Sequence, residues 1–149
     1  MSFAEKTVVP VDRSKSEIER LLTRYGATSF ASGWDSGRAV ITFRAHDRVL
    51  RFVLPLPSPS DRRFVDARGD KNAARSRYEQ ELRRLWRALL LVIKGKLEAV
   101  ESKIVSFEQE FLPYVVLPDG RTVADAVAPA VAESYRTGAV RALLPEVTG

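Results

Sequence analysis

Arginine is the residue type in this sequence whose placement could do chemistry. Arg83, Arg84 and Arg87 recur at helical spacing, with Arg75 and Arg77 upstream and Lys94 downstream. A guanidinium forks onto phosphate oxygens with two parallel N–H donors, so a row of them on one helix face can hold a polyanion. Arg44 and Arg51, flanked by Arg38 and Arg48, form a second set on alternating sequence. They could make one sheet face a nucleic-acid platform, with Trp34 stacking a base. Arg62 and Arg63 lie between the two sets. A plainer reading stands beside this one. The helix arginines can be a solvated face laced with i,i+4 pairs such as Arg77–Glu81 and Glu79–Arg83. The sheet arginines can simply keep an exposed face soluble, with Trp34 partly buried.

Other chemistries find little support. There is no cysteine and one histidine, His46, so thiolate and histidine-cluster metal sites are excluded. Asp35, Asp47, Asp61, Asp66 and Asp70 stand at turns or helix starts, where aspartate satisfies backbone amides, and no metal-ligand spacing links them. Ser32-Gly33 and Ser36-Gly37 are too short for a phosphate loop, and no nucleotide-binding or zinc-protease motif is present. No serine nucleophile stands in a recognisable arrangement with histidine. The expectation is a protein without metal or cofactor, and not an enzyme.

The elements that must position the arginines follow from periodicity. From Lys71 to Val105 the chain predicts one long amphipathic helix. Tyr78, Leu82, Leu85, Leu89, Ile93, Val100 and Ile104 share one face, which Trp86 and Leu97 widen. Arg77, Arg83, Arg84, Arg87 and Lys94 fall on the opposite side. Upstream, Ser14 and Glu17 have capping-box spacing. They predict a helix that buries Ile18, Leu21, Leu22 and Tyr25 and ends at Gly26, with residues 1–11 as an arm or edge strand.

A three-strand meander comes next: Thr28–Trp34, Arg38–Ala45 and Arg48–Leu54. Its turns are Asp35-Ser36-Gly37 and His46-Asp47. With Ala45 opposite Arg48, one face gathers Ala39, Ile41, Phe43, Leu50, Phe52 and Leu54. The other face is mixed. Prolines 55, 57 and 59 end the sheet and open a long basic loop over residues 55–70, which also holds Arg68; its length points to mobility or function.

Beyond the long helix, Ser106–Leu112 predicts a short helix broken at Pro113. Tyr114–Leu117 predicts an extended segment, and Pro118-Asp119-Gly120 a turn. A last helix opens at Thr122 and ends at Gly138, with Pro129 placed to kink or split it. Val140–Leu144 is expected to fold back onto the core. The fold class is α+β: a three-stranded antiparallel meander packed on a long central helix, with an N-terminal helix and C-terminal helices, all within one domain of residues 1–149.

Composition agrees. Hydrophobic residues make up 45%, enough for a real core. The net charge is +5, and residues 71–105, with nine Lys/Arg against four Asp/Glu, carry all of it. Residues 106–149 hold three basic and six acidic groups. A basic middle and an acidic tail fit a polyanion-binding face or self-complementary packing. No signal peptide stands near Met1, and no apolar run is long enough for a membrane span; a cytoplasmic protein is expected.

Two resemblances add to this. Asp12-Arg13-Ser14, Tyr25-Gly26, Gly33-Trp34-Asp35 and Phe52-Val53-Leu54-Pro55-Leu56-Pro57 resemble small proteins encoded by bacteriophages and prophages. So do Trp86-Arg87-Ala88-Leu89 and Val116-Leu117-Pro118-Asp119-Gly120. That resemblance implies phage origin, hence the cytoplasm of a host cell, and no particular site. The order helix, three-strand meander, helix is similar to that of double-stranded-RNA-binding domains, and a related order occurs in phage single-strand annealing proteins. Lys71-Asn72-Ala73-Ala74-Arg75 looks like the start of the second helix of the RNA-binding domain. The long loop, the long helix and the C-terminal helices depart from that pattern.

The functional expectation is a phage protein that binds nucleic acid, DNA before RNA, in replication, recombination or protection of phage DNA. Its contacts would be Arg44, Arg51, Arg62, Arg63, Arg75, Arg83, Arg84 and Arg87. The alternative is a protein-binding module, such as an inhibitor of a host or defence protein. A homodimer is expected from the surplus apolar surface at Leu91, Val40, Val49 and Val53.

Overall fold

A computed structural model describes residues 3–65, 68–140 and 142–144. The order is α1 (Phe3–Arg24), β1 (Ser29–Asp35), β2 (Arg38–Ala45), β3 (Arg48–Pro55), α2 (Lys71–Glu101), α3 (Phe107–Phe111) and α4 (Val123–Thr137). The three strands form one antiparallel sheet in sequence order, and the architecture is α+β.

The meander has the expected register. Ala45 pairs with Arg48 and Phe43 with Leu50 across the β2–β3 hairpin. That hairpin turns on His46 and Asp47, whose φ angles of 51° and 59° are both positive. A two-residue turn of this hand matches the twist of the flanking strands. On the inner face Ala39, Ile41, Phe43, Leu50 and Phe52 are buried and Leu54 is half-buried. Phe43 and Phe52 stack on each other, and both meet Phe111 of α3 edge-on.

Helices α1 and α2 lie side by side and run in the same direction. Lys15 sits over the Trp86 ring near their midpoints, and the Tyr25 hydroxyl donates to the Glu101 carboxylate at their C-terminal ends. That hydrogen bond holds the Tyr25 hydroxyl above its ordinary pKa. Along the seam α1 buries Val11, Ile18 and Leu22, while α2 buries Tyr78, Leu82, Trp86, Leu89, Ile93 and Leu97.

Three expectations are corrected. First, α1 does not begin at Ser14. It runs from Phe3, through Pro10, and Ser14 lies inside it. Val11 is one helical repeat ahead of Ile18 and is buried on the same face. Tertiary burial therefore extends the helix across a local capping signal. Met1 and Ser2 lie outside the described residues.

Second, α2 ends at Glu101, not Val105. Lys103 takes a left-handed φ of 60°, and the Ile104 amide turns back to the Ala99 carbonyl at 3.0 Å. This is the helix-ending geometry that glycine usually provides. It throws Ile104, expected on the apolar face, into solvent at 76% exposure.

Third, Val140, Leu143 and Leu144 stay exposed instead of folding back; Arg141 lies outside the described residues.

The 55–70 loop is anchored over its described part. Phe64, in a single 3-10 turn at Arg62–Phe64, is buried edge-on against Tyr78. Arg77 donates to the Phe64 carbonyl at 2.6 Å, so Arg77 is half-buried and not on the solvated side. Asp66 and Ala67 lie outside the described residues. After α2, Ser106 and Gln109 cap α3 reciprocally. Val115 then bridges Leu50 and extends the sheet at the free edge of β3. Thr122 caps α4, which continues unbroken through Pro129 to Gly138.

Candidate nucleic-acid interface

The parallel packing of α1 and α2 creates a groove that neither helix has alone. Arg13, Glu17, Arg20 and Arg24 follow at steps of four, three and four, so one face of α1 carries them all. Across the seam, α2 contributes Arg87, Leu90, Leu91 and Lys94 at matching helical steps. Together with Ser14 and Leu21 these residues enclose about 730 Å³.

Five cations line this groove against the single carboxylate of Glu17. Glu17 faces Arg13 at 3.8 Å. Among the described residues, no carboxylate pairs with Arg20, Arg24, Arg87 or Lys94. Leu21, Leu90 and Leu91 make an apolar floor, with Leu91 62% exposed. Cationic walls over an apolar floor suit an elongated anion whose charges lie along its edges and whose body is less hydrated.

The eight arginines expected to bind nucleic acid fall in three places. Arg87 lines the groove, and Arg83, one turn earlier, is exposed on the same side of α2. Arg84, also exposed, is engaged by Glu81, which accepts from its Nε at 3.0 Å. This bond pulls Glu81 below the usual carboxylate range and raises Arg84. Arg62 and Arg63 sit on the 3-10 turn of the loop, where Arg63 lies 3.7 Å from Asp61 and 4.0 Å from Glu81. Arg75 is half-buried near the start of α2 and already engaged.

Arg44 and Arg51 are on the outer face of the sheet, away from α2. Arg51 donates to the Gly120 carbonyl at 2.8 Å, tying down the turn before α4. Trp34 does not share that face. It pairs with Ala39, an inner-face residue, and is 67% exposed. The expected sheet platform of Arg44, Arg51 and Trp34 is therefore divided between two sides of one sheet.

Arg13, Arg20 and Arg24 are the groove residues that sequence reasoning missed. Their spacing was a usable signal. It is masked by the capping signal at Ser14, which places the predicted helix start after Arg13, and nothing local tells which face of α1 meets α2.

A second cavity, of about 520 Å³, lies on the other side of the same seam. Lys15 and Trp86 line it, while their chain neighbours Ser14 and Arg87 line the groove. Trp34 forms an exposed wall; Tyr78, Leu82 and Trp86 form a buried floor; Leu56 and Pro57 close one side. The Tyr78 hydroxyl is uncharged at neutral pH in any case, and burial raises its pKa further.

Comparison with protein-family models, with curated proteins and with solved structures finds no match for this chain. Among the described residues no group of acidic or histidine side chains could hold a metal ion, and no helix is long and apolar enough to cross a membrane.

Proposed function

We propose that this protein binds nucleic acid, DNA before RNA, along the α1–α2 groove. The observation that carries this reading is the charge of the groove: five cations, four of them without a carboxylate partner among the described residues. Arginine-rich walls attract phosphates, and binding releases condensed counterions. The contacts are to the backbone, so they position the strand without selecting its sequence. Such a protein suits work on phage DNA in replication, recombination or protection, in keeping with the resemblance of the chain to phage-encoded proteins.

Mobility-shift titrations with single- and double-stranded DNA and RNA, each at two salt concentrations, test this. The expected result is a shift that weakens steeply with salt and is alike across sequences of one kind. No shift at about 0.15 M salt, where weak surface attraction is largely screened, would overturn it.

One observation favours a second reading. The exposed Leu91 floor also fits the apolar side of an acidic amphipathic helix from a partner protein. A single host protein that stays bound after nuclease digestion would mark that case.

A further inference from the structure

The 520 Å³ cleft plays no part in the groove, yet it has the make-up of a ligand site. Its volume falls within the range of small-molecule sites, roughly 300–1,000 Å³. Three aromatic rings line it: Trp34, Tyr78 and Trp86. Trp34 is the largest exposed apolar ring on the inner side of the sheet, and nothing in the core requires it there. Gly33 and Gly37 are in the lining beside it.

The polar groups in the lining are cationic or neutral, and it contains no carboxylate. Lys15 stands over Trp86 at 5.1 Å from the ring centre, and it has no carboxylate partner among the described residues. Arg38, also in the lining, lies 3.7 Å from Asp35, which is outside it. A flat apolar wall with cations in the lining selects a ligand that is planar and aromatic at one end and anionic at the other. A fatty chain would not need the rings, and an uncharged ring would not need the lysine.

We propose that this cleft binds one nucleotide, with its base stacked on Trp34 and its phosphate at Lys15. The nucleotide can be free or can be an unpaired unit of a single strand. In the second form the inference rests on the nucleic-acid reading of the neighbouring groove; in the first it stands alone. Stacking on an indole tolerates every base, because each presents a π-face.

Trp34 and Trp86 are the only two tryptophans of the chain, so intrinsic tryptophan fluorescence reports on this cleft. The experiment titrates the full chain with adenosine monophosphate, with adenosine, and with a short single-stranded oligonucleotide. The expected result is saturable quenching by the monophosphate, weaker by about 10-fold or more in Trp34→Ala and partly kept in Trp34→Phe. Lys15→Gln should weaken the monophosphate and leave adenosine unchanged. Thermal melts of the variants check that the fold is intact; Trp34 is exposed, so its removal should not lower Tm.

Saturation by the oligonucleotide far below the concentration needed for the monophosphate identifies an unpaired unit of a strand. Quenching by the monophosphate alone identifies a free nucleotide. Absence of quenching by both, or a Trp34→Ala protein that binds as tightly as wild type, overturns the proposal. The triple change Arg20→Gln, Arg87→Gln and Lys94→Gln separates the two sites, since it should abolish the mobility shift and spare the monophosphate quenching. A mobility shift without quenching sinks the cleft alone, and quenching without a shift sinks the groove alone.

Discussion

The outer face of the sheet and the α1–α2 groove both present arginines, but their arginines are in different electrostatic states. On the outer face Arg38 faces Asp35 and Arg51 is spent on the Gly120 carbonyl, so that among the described residues Arg44 alone of the three has no partner. In the groove Arg20, Arg24, Arg87 and Lys94 line a leucine floor, with no carboxylate partner among the described residues. Counting arginines along the chain ranks the two regions alike. What separates them is whether the fold has already supplied a partner: a paired guanidinium must exchange one acceptor for another, and the net gain is small.

The largest effect should come from removing groove charge. Arg20→Gln, Arg87→Gln and Lys94→Gln together should weaken DNA binding by about 100-fold and flatten the salt slope by roughly three units. Glutamine is a good helix former, so the melting curve should hardly move. Equal loss on changing Arg44 alone would reverse the comparison and move the interface to the sheet.

Next comes the groove floor. Leu91→Ala should leave DNA affinity and stability nearly unchanged, whereas Leu89→Ala, two residues away and buried, should cost about 2–5 kcal/mol in denaturant unfolding. A sharp loss of binding to a protein partner on Leu91→Ala, with DNA binding intact, would favour the acidic-helix reading.

Arg51→Ala should act on stability instead of binding. It frees the Gly120 carbonyl in an exposed turn that water can reach, at a cost of about 1 kcal/mol by chemical denaturation. A drop in DNA affinity larger than for Arg44→Gln would contradict its structural role.

The smallest effect is at Glu81. Glu81→Gln releases Arg84 and the more distant Arg63, and should tighten DNA binding by about 2-fold at low salt. Arg84 holds the Glu81 pKa below the ordinary carboxylate range. The carboxylate therefore stays charged as pH falls to the usual range, and its pairing is lost only below it. Binding compared at pH 7 and pH 5.5 should show no contribution from Glu81; a difference abolished by Glu81→Gln would contradict this.

Much of this fold was legible in the residues themselves. The alternation of apolar residues from Ala39 to Leu54, broken at His46-Asp47, contains the register and both faces of the hairpin, because a slip of one residue would turn Phe43 and Leu50 outward. The repeat from Tyr78 to Leu97 contains the buried face of α2. The failures are all cases where a distant contact or a chain reversal decided the outcome. Burial of Val11 carried α1 through Ser14. A lysine in a left-handed turn stopped α2 four residues short of its period. The candidate site was legible only in part: of the arginines expected to bind, Arg87 alone lines the groove, with Lys94 on the same side of α2, while the facing row on α1 needed the seam between the helices to give it meaning.

That seam joins parts of the chain far apart in time as well as in number. Tyr25 meets Glu101 across 76 residues. During synthesis α1 leaves the ribosome with its buried face exposed, and the β2–β3 hairpin, whose contacts are local, can close long before α2 exists. Closing so wide a loop comes late in folding, since the chain entropy must be given up before the contacts repay it. The groove is therefore a property of the completed molecule, and a nascent or nicked chain lacking α2 would carry Arg20 and Arg24 without a groove to put them in.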